Sequence, residues 1–86
     1  MPVTIYELTN DRLKQVFVGL TRLSLDRELA RHRRQRATGL AEWHLAELRN
    51  VRIVEIFQDD RSAAQFYVEY CKRTPPKGWR LLSETR

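Results

Sequence analysis

The chain has 86 residues, a formal net charge of +5 and a pI near 10.0. This length is that of one domain, and an apolar fraction of 42% is enough for a modest core. The single cysteine, Cys71, excludes an intramolecular disulfide framework and a cysteine-based zinc site. No apolar run is long enough to cross a membrane, and the N-terminus lacks the basic and apolar regions of a signal peptide. We therefore expect one cytoplasmic domain over residues 1–86, without a membrane partner, whose positive charge favours a polyanion.

Two apolar runs near the N-terminus predict a β-hairpin. Residues 3–8 are rich in strand-forming side chains, and residues 16–20 are almost wholly apolar, as in a strand buried on both faces. Asn10 and Asp11, which lie between the runs, are typical turn residues. Gly19 removes a side chain from the second strand, which allows another group to approach the backbone closely.

An arginine-rich segment then predicts an amphipathic helix over residues 25–35. Ser24 is a suitable N-cap, and Leu25 and Leu29 lie one turn apart on the inward face. Three arginines at positions i, i+4 and i+7 share the outer stripe of this helix: Arg27, Arg31 and Arg34.

The second half of the chain predicts two more helices and a strand. Residues 40–48 read as a short helix whose core contacts are Leu40, Trp43 and Leu48, and residues 51–57 read as a strong strand. A further helix begins at Asp59 or Asp60 and ends before the proline and glycine of residues 74–78. Its apolar stripe consists of Ala63, Phe66, Tyr67, Tyr70 and Cys71. Residues 79–82 read as a short last strand.

These elements predict the α+β class. The expected architecture is a small three-stranded, mainly antiparallel sheet flanked by helices, in the order β-β-α-α-β-α with a short tail. The three main strands are residues 3–8, 16–20 and 51–57.

Several short motifs, taken in order, resemble the GIY-YIG nuclease domain. They are TIY at residues 4–6, FVG at residues 17–19, and Arg27 followed five residues later by His32. The likeness spans residues 3–82. It implies a GIY-YIG-like fold and hydrolysis of DNA phosphodiester bonds with a divalent metal ion, Mg²⁺ or Mn²⁺.

The resemblance also implies roles for individual residues. Tyr6 matches the tyrosine of the first motif, which activates water, and Arg27 matches the family arginine, which neutralises charge on the phosphate. His32 matches a histidine or polar residue often found in that helix. Glu69 is the candidate metal ligand. The candidate nucleic-acid contacts are Phe17, Arg31 and Arg34, and we expect Tyr6, Phe17 and Arg27 to line one concave face with Arg31 at its rim.

The sequence departs from the family pattern at several positions. Phe17 replaces the tyrosine of the second motif, so that hydroxyl is missing. Alignment places the metal-binding glutamate on Val68, one residue before Glu69, and one residue rotates a helical side chain by about 100°. The late asparagine of the family appears as Arg80.

Three functions therefore stay open at this stage. The chain is a metal-dependent endonuclease, a catalytically inactive GIY-YIG-like module that binds nucleic acid, or a protein-interaction domain whose charge keeps it soluble.

Each candidate side chain also has a structural explanation. Tyr6 and Phe17 fit a strand core, and the arginines, including Arg33 and Arg36, fit a solvated helix face. The two histidines, His32 and His44, have no cysteine or carboxylate at metal-ligand spacing.

Overall fold

A four-stranded mixed sheet forms the centre of the fold in the computed structural model, which describes residues 2–35 and 38–83. The strands are β1 (Val3–Asn10), β2 (Gln15–Thr21), β3 (Val51–Phe57) and β4 (Arg80–Ser83), in the spatial order β3-β1-β2-β4. Both β2 and β3 pair with β1 in the antiparallel direction, whereas β4 pairs with β2 in parallel. The first strand of the chain is therefore central, and β3 and β4 are the edges.

Two α-helices are capped by the side chains that precede them. Helix α1 (Leu25–Arg34) begins after Ser24, whose Oγ accepts a hydrogen bond from the Arg27 backbone N–H. Helix α2 (Asp60–Cys71) begins after Asp59, whose carboxylate accepts from the Ser62 backbone N–H. The element order is β-β-α-β-α-β.

The two helices cover opposite faces of the sheet. Because side chains alternate along a strand, Tyr6 and Glu7 point in opposite directions. The Tyr6 hydroxyl reaches Glu28 on α1, and the Glu7 carboxylate reaches Tyr70 on α2. We call the first face the α1 side and the second the α2 side. The main core lies on the α1 side and consists of Tyr6, Leu8, Phe17, Leu29, Leu40, Trp43 and Leu48.

The three predicted strands, the helix from residue 25 and the helix that begins after Asp59 are confirmed. The sheet has four strands where three were predicted, because residues 80–83 pair with β2. Among residues 2–35 and 38–83, no helix is both long and apolar enough to cross a membrane.

The predicted helix over residues 40–48 is wrong. This segment forms two short 3₁₀ turns, Thr38–Leu40 and Leu45–Arg49. The predicted core contacts are nevertheless buried, with Leu40, Trp43 and Leu48 at most 1% exposed. Five residues of α-helix would rotate Leu48 by about 140° from Trp43, so one helix would turn one of them away from the core. Separate turns allow both to point inward.

Candidate functional site

Tyr6 lies at the centre of the α1 side because of its partner in the hairpin. It stands directly opposite Gly19 on β2, and both Tyr6 and Gly19 are buried. A Cβ atom built on Gly19 would overlap the phenol ring of Tyr6. The missing side chain therefore lets the phenol lie across the β2 backbone and reach α1.

The Tyr6 hydroxyl joins a carboxylate and an imidazole inside the protein. It donates a hydrogen bond to Glu28 Oε2 at 2.6 Å and lies 2.7 Å from His32 Nε2. Because the phenol proton is given to Glu28, the phenol oxygen accepts from His32, which assigns the imidazole hydrogen to Nε2. The other ring nitrogen, Nδ1, is buried and has no hydrogen-bond partner in the described part of the chain. The hydroxyl of Tyr6 thus both donates and accepts.

Glu28 lies at the centre of the cluster that it forms with Tyr6 and His32. Its side chain is 1% exposed, and its carboxylate also accepts from Thr21 Oγ1 at 3.1 Å and from Arg31 Nε and Nη2 at 3.0 Å each. Burial alone would raise the pKa of Glu28, but the hydrogen bonds from His32, Arg31 and Tyr6 outweigh it and hold the pKa well below its ordinary value. Glu28 is therefore an ionised carboxylate inside the core, neutralised by Arg31.

Phe17 closes the cluster from the β2 side. Its ring meets the His32 ring edge-on, with centroids 5.6 Å apart at 83°, and lies 6.5 Å from the Tyr6 ring. Such an edge-to-face contact is a favourable aromatic geometry. Tyr6, Phe17 and His32 all have an exposed fraction of 0%. They form the floor of the α1 side, beneath its surface.

The arginines of α1 divide into one that is anchored and three that face solvent. The Arg31 side chain is 37% exposed and bound by Glu28. Arg27, Arg33 and Arg34 are exposed, and their guanidinium groups have no ion-pair partner among residues 2–35 and 38–83. Arg36 lies outside the described residues.

The structure does not bring Glu69 to Tyr6. Glu69 belongs to α2, across the sheet from the Tyr6 cluster, and its side chain is 76% exposed beside Lys72, with Oε1 3.4 Å from Nζ. A hard divalent cation is held by carboxylate oxygens that converge on one point. In the described part of the chain, no group of three or more His, Cys, Asp or Glu side chains could hold a metal ion. Glu69, the residue that the resemblance implied for Mg²⁺ or Mn²⁺, therefore lies across the sheet from Tyr6 and does not share a site with it.

Of the predicted site residues, the structure brings together Tyr6, Phe17 and His32, and links Arg31 to them through Glu28. Arg27 and Arg34 lie on the exposed surface of the same helix. Glu28 was missed by the sequence reasoning, although a signal for it exists. It lies one turn before His32 and next to Leu29 in the sequence, which places it at the border of the inward stripe of α1.

No family model, curated protein or solved structure matches this chain.

Proposed function

We propose that this chain is a GIY-YIG-like nucleic-acid-binding module that holds DNA without cutting it. The observation that carries the proposal is the surface of α1, where Arg27, Arg33 and Arg34 are exposed and have no ion-pair partner among the described residues. A guanidinium group fits a phosphate with two parallel hydrogen bonds. An arginine already paired with a carboxylate must break that pair to bind phosphate, and these three need not do so.

Two observations favour binding over cutting. The Tyr6 hydroxyl already makes two hydrogen bonds, and the residue is 0% exposed, so a phosphate at the surface would not reach it. Glu69 lies on the α2 side, so the base and the metal ligand that cleavage would require are separated by the sheet. Phe17, which has no hydroxyl, cannot replace Tyr6.

Salt-dependent binding tests the proposal. Each phosphate contact on duplex DNA contributes about −0.9 to the slope of log affinity against log salt. We expect Arg27→Gln and Arg34→Gln each to weaken binding of a labelled duplex and to make this slope shallower by about one contact. Arg61→Gln removes the same charge from an exposed arginine of α2 and is the matched control, expected to leave the slope unchanged. Failure to bind any duplex or single-stranded DNA at low salt would leave the protein-interaction domain as the remaining function.

A metal-dependent endonuclease is the second candidate, and one observation favours it. The Tyr6 phenol donates its hydrogen bond to the Glu28 carboxylate, a group that is able to accept a proton. Labelled branched, duplex and single-stranded DNA should be incubated with the protein, with Mg²⁺ or Mn²⁺ and with a chelator. Cutting that needs the ion and disappears in Tyr6→Phe and Arg27→Ala would establish this function. Binding without cutting establishes the inactive module.

A further inference from the structure

We propose a second phosphate-binding site at the hairpin end of the sheet, formed by Lys14, Lys77 and Arg80. This inference rests on the proposed function, and it adds that the bound DNA extends from α1 to this end of the molecule. It follows from how charge is distributed over the two sides of the sheet and from how these three cations are held.

The α2 side is electrically balanced. Its cations and carboxylates are equal in number, and most of them are paired with each other: Arg22 with Asp60, Arg52 and Arg73 with Glu7, and Lys72 with Glu69. The remaining charged residues of that side are Arg61, Glu55 and Asp59.

The rest of the described chain is strongly basic. Its cations are Arg12, Lys14, Arg27, Arg31, Arg33, Arg34, Arg49, Lys77 and Arg80. Its carboxylates are Asp11, Asp26, Glu28, Glu42 and Glu47. Because cations exceed carboxylates only here, the positive net charge of the described residues belongs to the α1 side and the hairpin end. A polyanion is therefore attracted to these surfaces and not to α2.

The backbone joins the hairpin turn, which contains Lys14, to the segment that contains Lys77 and Arg80. The Arg80 N–H donates to the Lys14 carbonyl oxygen at 3.0 Å, which joins the hairpin turn to the start of β4. Lys77 lies in the turn just before β4, where the Trp79 N–H donates to the Pro76 carbonyl oxygen at 3.0 Å. Gly78 supplies the positive φ of 87° that this turn requires. Lys14, Lys77 and Arg80 are all exposed, and none of them has an ion-pair partner among the residues described.

Helix α1 leads towards this end of the sheet. Glu28 contacts Thr21, the last residue of β2. His32, one helical turn after Glu28, packs against Phe17, which lies near the beginning of β2. The last turn of α1, which contains Arg33 and Arg34, is therefore the part of the helix nearest the hairpin end. The last turn of α1 and the three hairpin-end cations therefore lie towards the same end of the sheet.

Nearby carboxylates limit the strength of the site and supply a second test. Glu42 and Arg80 line the same cavity of about 190 Å³, together with Gln15. A phosphate bound to Arg80 would be repelled by the Glu42 carboxylate. Asp11, in the hairpin turn, acts in the same direction, whereas the neighbouring Glu47 is already bound by Arg12. Glu42→Gln is therefore expected to tighten DNA binding.

The experiment measures the affinity for a labelled DNA duplex as a function of salt. Two variants, Arg80→Gln and the double variant Lys14→Gln with Lys77→Gln, should each weaken binding. Each lost contact should make the salt slope shallower by about 0.9, so that the fall in affinity between roughly 50 and 200 mM salt becomes about threefold smaller. Arg61→Gln is the matched control on α2, and circular dichroism checks that each variant is folded. These changes, together with tighter binding by Glu42→Gln, are the expected result.

Three outcomes would overturn the inference in distinguishable ways. Hairpin-end variants that keep the wild-type slope, while Arg27→Gln and Arg34→Gln lose contacts, would refute the second site and leave the proposed function standing. Equal losses in the hairpin-end variants and in Arg61→Gln would indicate that only net charge matters. A wild-type protein that binds no DNA at low salt would remove both the inference and the function on which it rests.

Discussion

Gly19 shows how one residue determines the arrangement of the α1 side. It is buried opposite Tyr6, and the space where its side chain would lie is filled by the phenol ring. If the ring moved away, its hydroxyl would lose the hydrogen bonds to Glu28 and His32, which would cost free energy. The conformational freedom of glycine is not the issue, since the backbone of Gly19 is ordinary strand. The requirement is for space.

We therefore expect Gly19→Ala to destabilise the protein by about 1–3 kcal/mol, the usual cost of inserting a methyl group into a packed core. Urea unfolding measures the change. Gly39→Ala is the matched control, because a Cβ atom there would lie 3.5 Å from Leu82 and Phe17, an ordinary contact distance. Equal effects of the two substitutions would contradict the account of Gly19.

The sequence permits part of this arrangement to be predicted. A glycine inside an apolar strand indicates that another group approaches closely, and that prediction is confirmed at Gly19. The pattern does not identify Tyr6 as that group, because the partner depends on the hairpin register. The burial of Glu28 was not predicted, since a charged residue beside arginines reads as part of a solvated surface. The burial of this carboxylate is tolerable because Thr21, Tyr6 and His32 surround it and Arg31 neutralises it.

At the scale of elements, Glu7 fastens α2 and β3 to the central strand. Its buried carboxylate accepts hydrogen bonds from Arg52 on β3, from the Tyr70 hydroxyl at 2.6 Å, and from Arg73 just beyond α2. The Arg73 guanidinium also lies 4.4 Å from the centroid of the Tyr70 ring. Burial is the largest cause that raises the pKa of Tyr70, and the hydrogen bond to Glu7 raises it further. The Tyr70 hydroxyl therefore remains a donor at neutral pH.

Replacing Glu7 by glutamine should loosen the end of α2. The neutral amide cannot compensate both arginines, and the expected loss in unfolding free energy is about 1.5–3 kcal/mol, the range for hydrogen bonds to charged groups. Hydrogen exchange should become faster in the last turn of α2 and in β3 near Arg52. Glu69→Gln, which removes an exposed pair with Lys72, is the control and should cost less than about 1 kcal/mol. Unchanged exchange in the last turn of α2 would show that Glu7 does not hold it.

Element prediction succeeded where local pattern and tertiary packing agree. The alternation and apolar runs of β1, β2 and β3 located the three strands, and the side chains of Ser24 and Asp59 located two helix starts. The prediction of a helix over residues 40–48 failed because helical propensity conflicts there with the need to bury both Trp43 and Leu48. The pairing of β4 with β2 was not foreseen, since a parallel partner far along the chain leaves no local signal.

At the scale of the whole molecule, four carboxyl groups connect stability to pH. Hydrogen bonds from Arg12 and from the His44 backbone lower the pKa of Glu47 to about 2, and the pKa values of Glu28, Asp59 and Asp60 are also lowered. A carboxyl group whose pKa is depressed in the folded state stabilises that state at every pH above its unfolded pKa. The contribution is lost as the pH falls from the unfolded pKa towards the folded one.

We therefore expect the free energy of unfolding to decrease as the pH falls below about 4.5, the ordinary pKa of a glutamate. Glu28→Gln should be less stable than the wild type at neutral pH and should show a shallower decrease in acid. The difference in slope approaches about 1.4 kcal/mol per pH unit, the value for one proton. Urea unfolding at a series of pH values measures both slopes. Parallel curves for the two proteins would show that Glu28 does not titrate as its buried ion pair requires.

The parallel pairing of β4 with β2 has a consequence for synthesis on the ribosome. The hairpin is made before β3 and β4, so the edge of β2 that pairs with β4 lacks this partner until residues 80–83 have been made. During that interval the nascent chain presents unpaired backbone groups beside Val16 and Val18, an apolar edge of the kind that recruits other strands. We therefore expect β2 to be open to pairing with other strands until β4 has been made, although β4 contributes only four residues to the sheet.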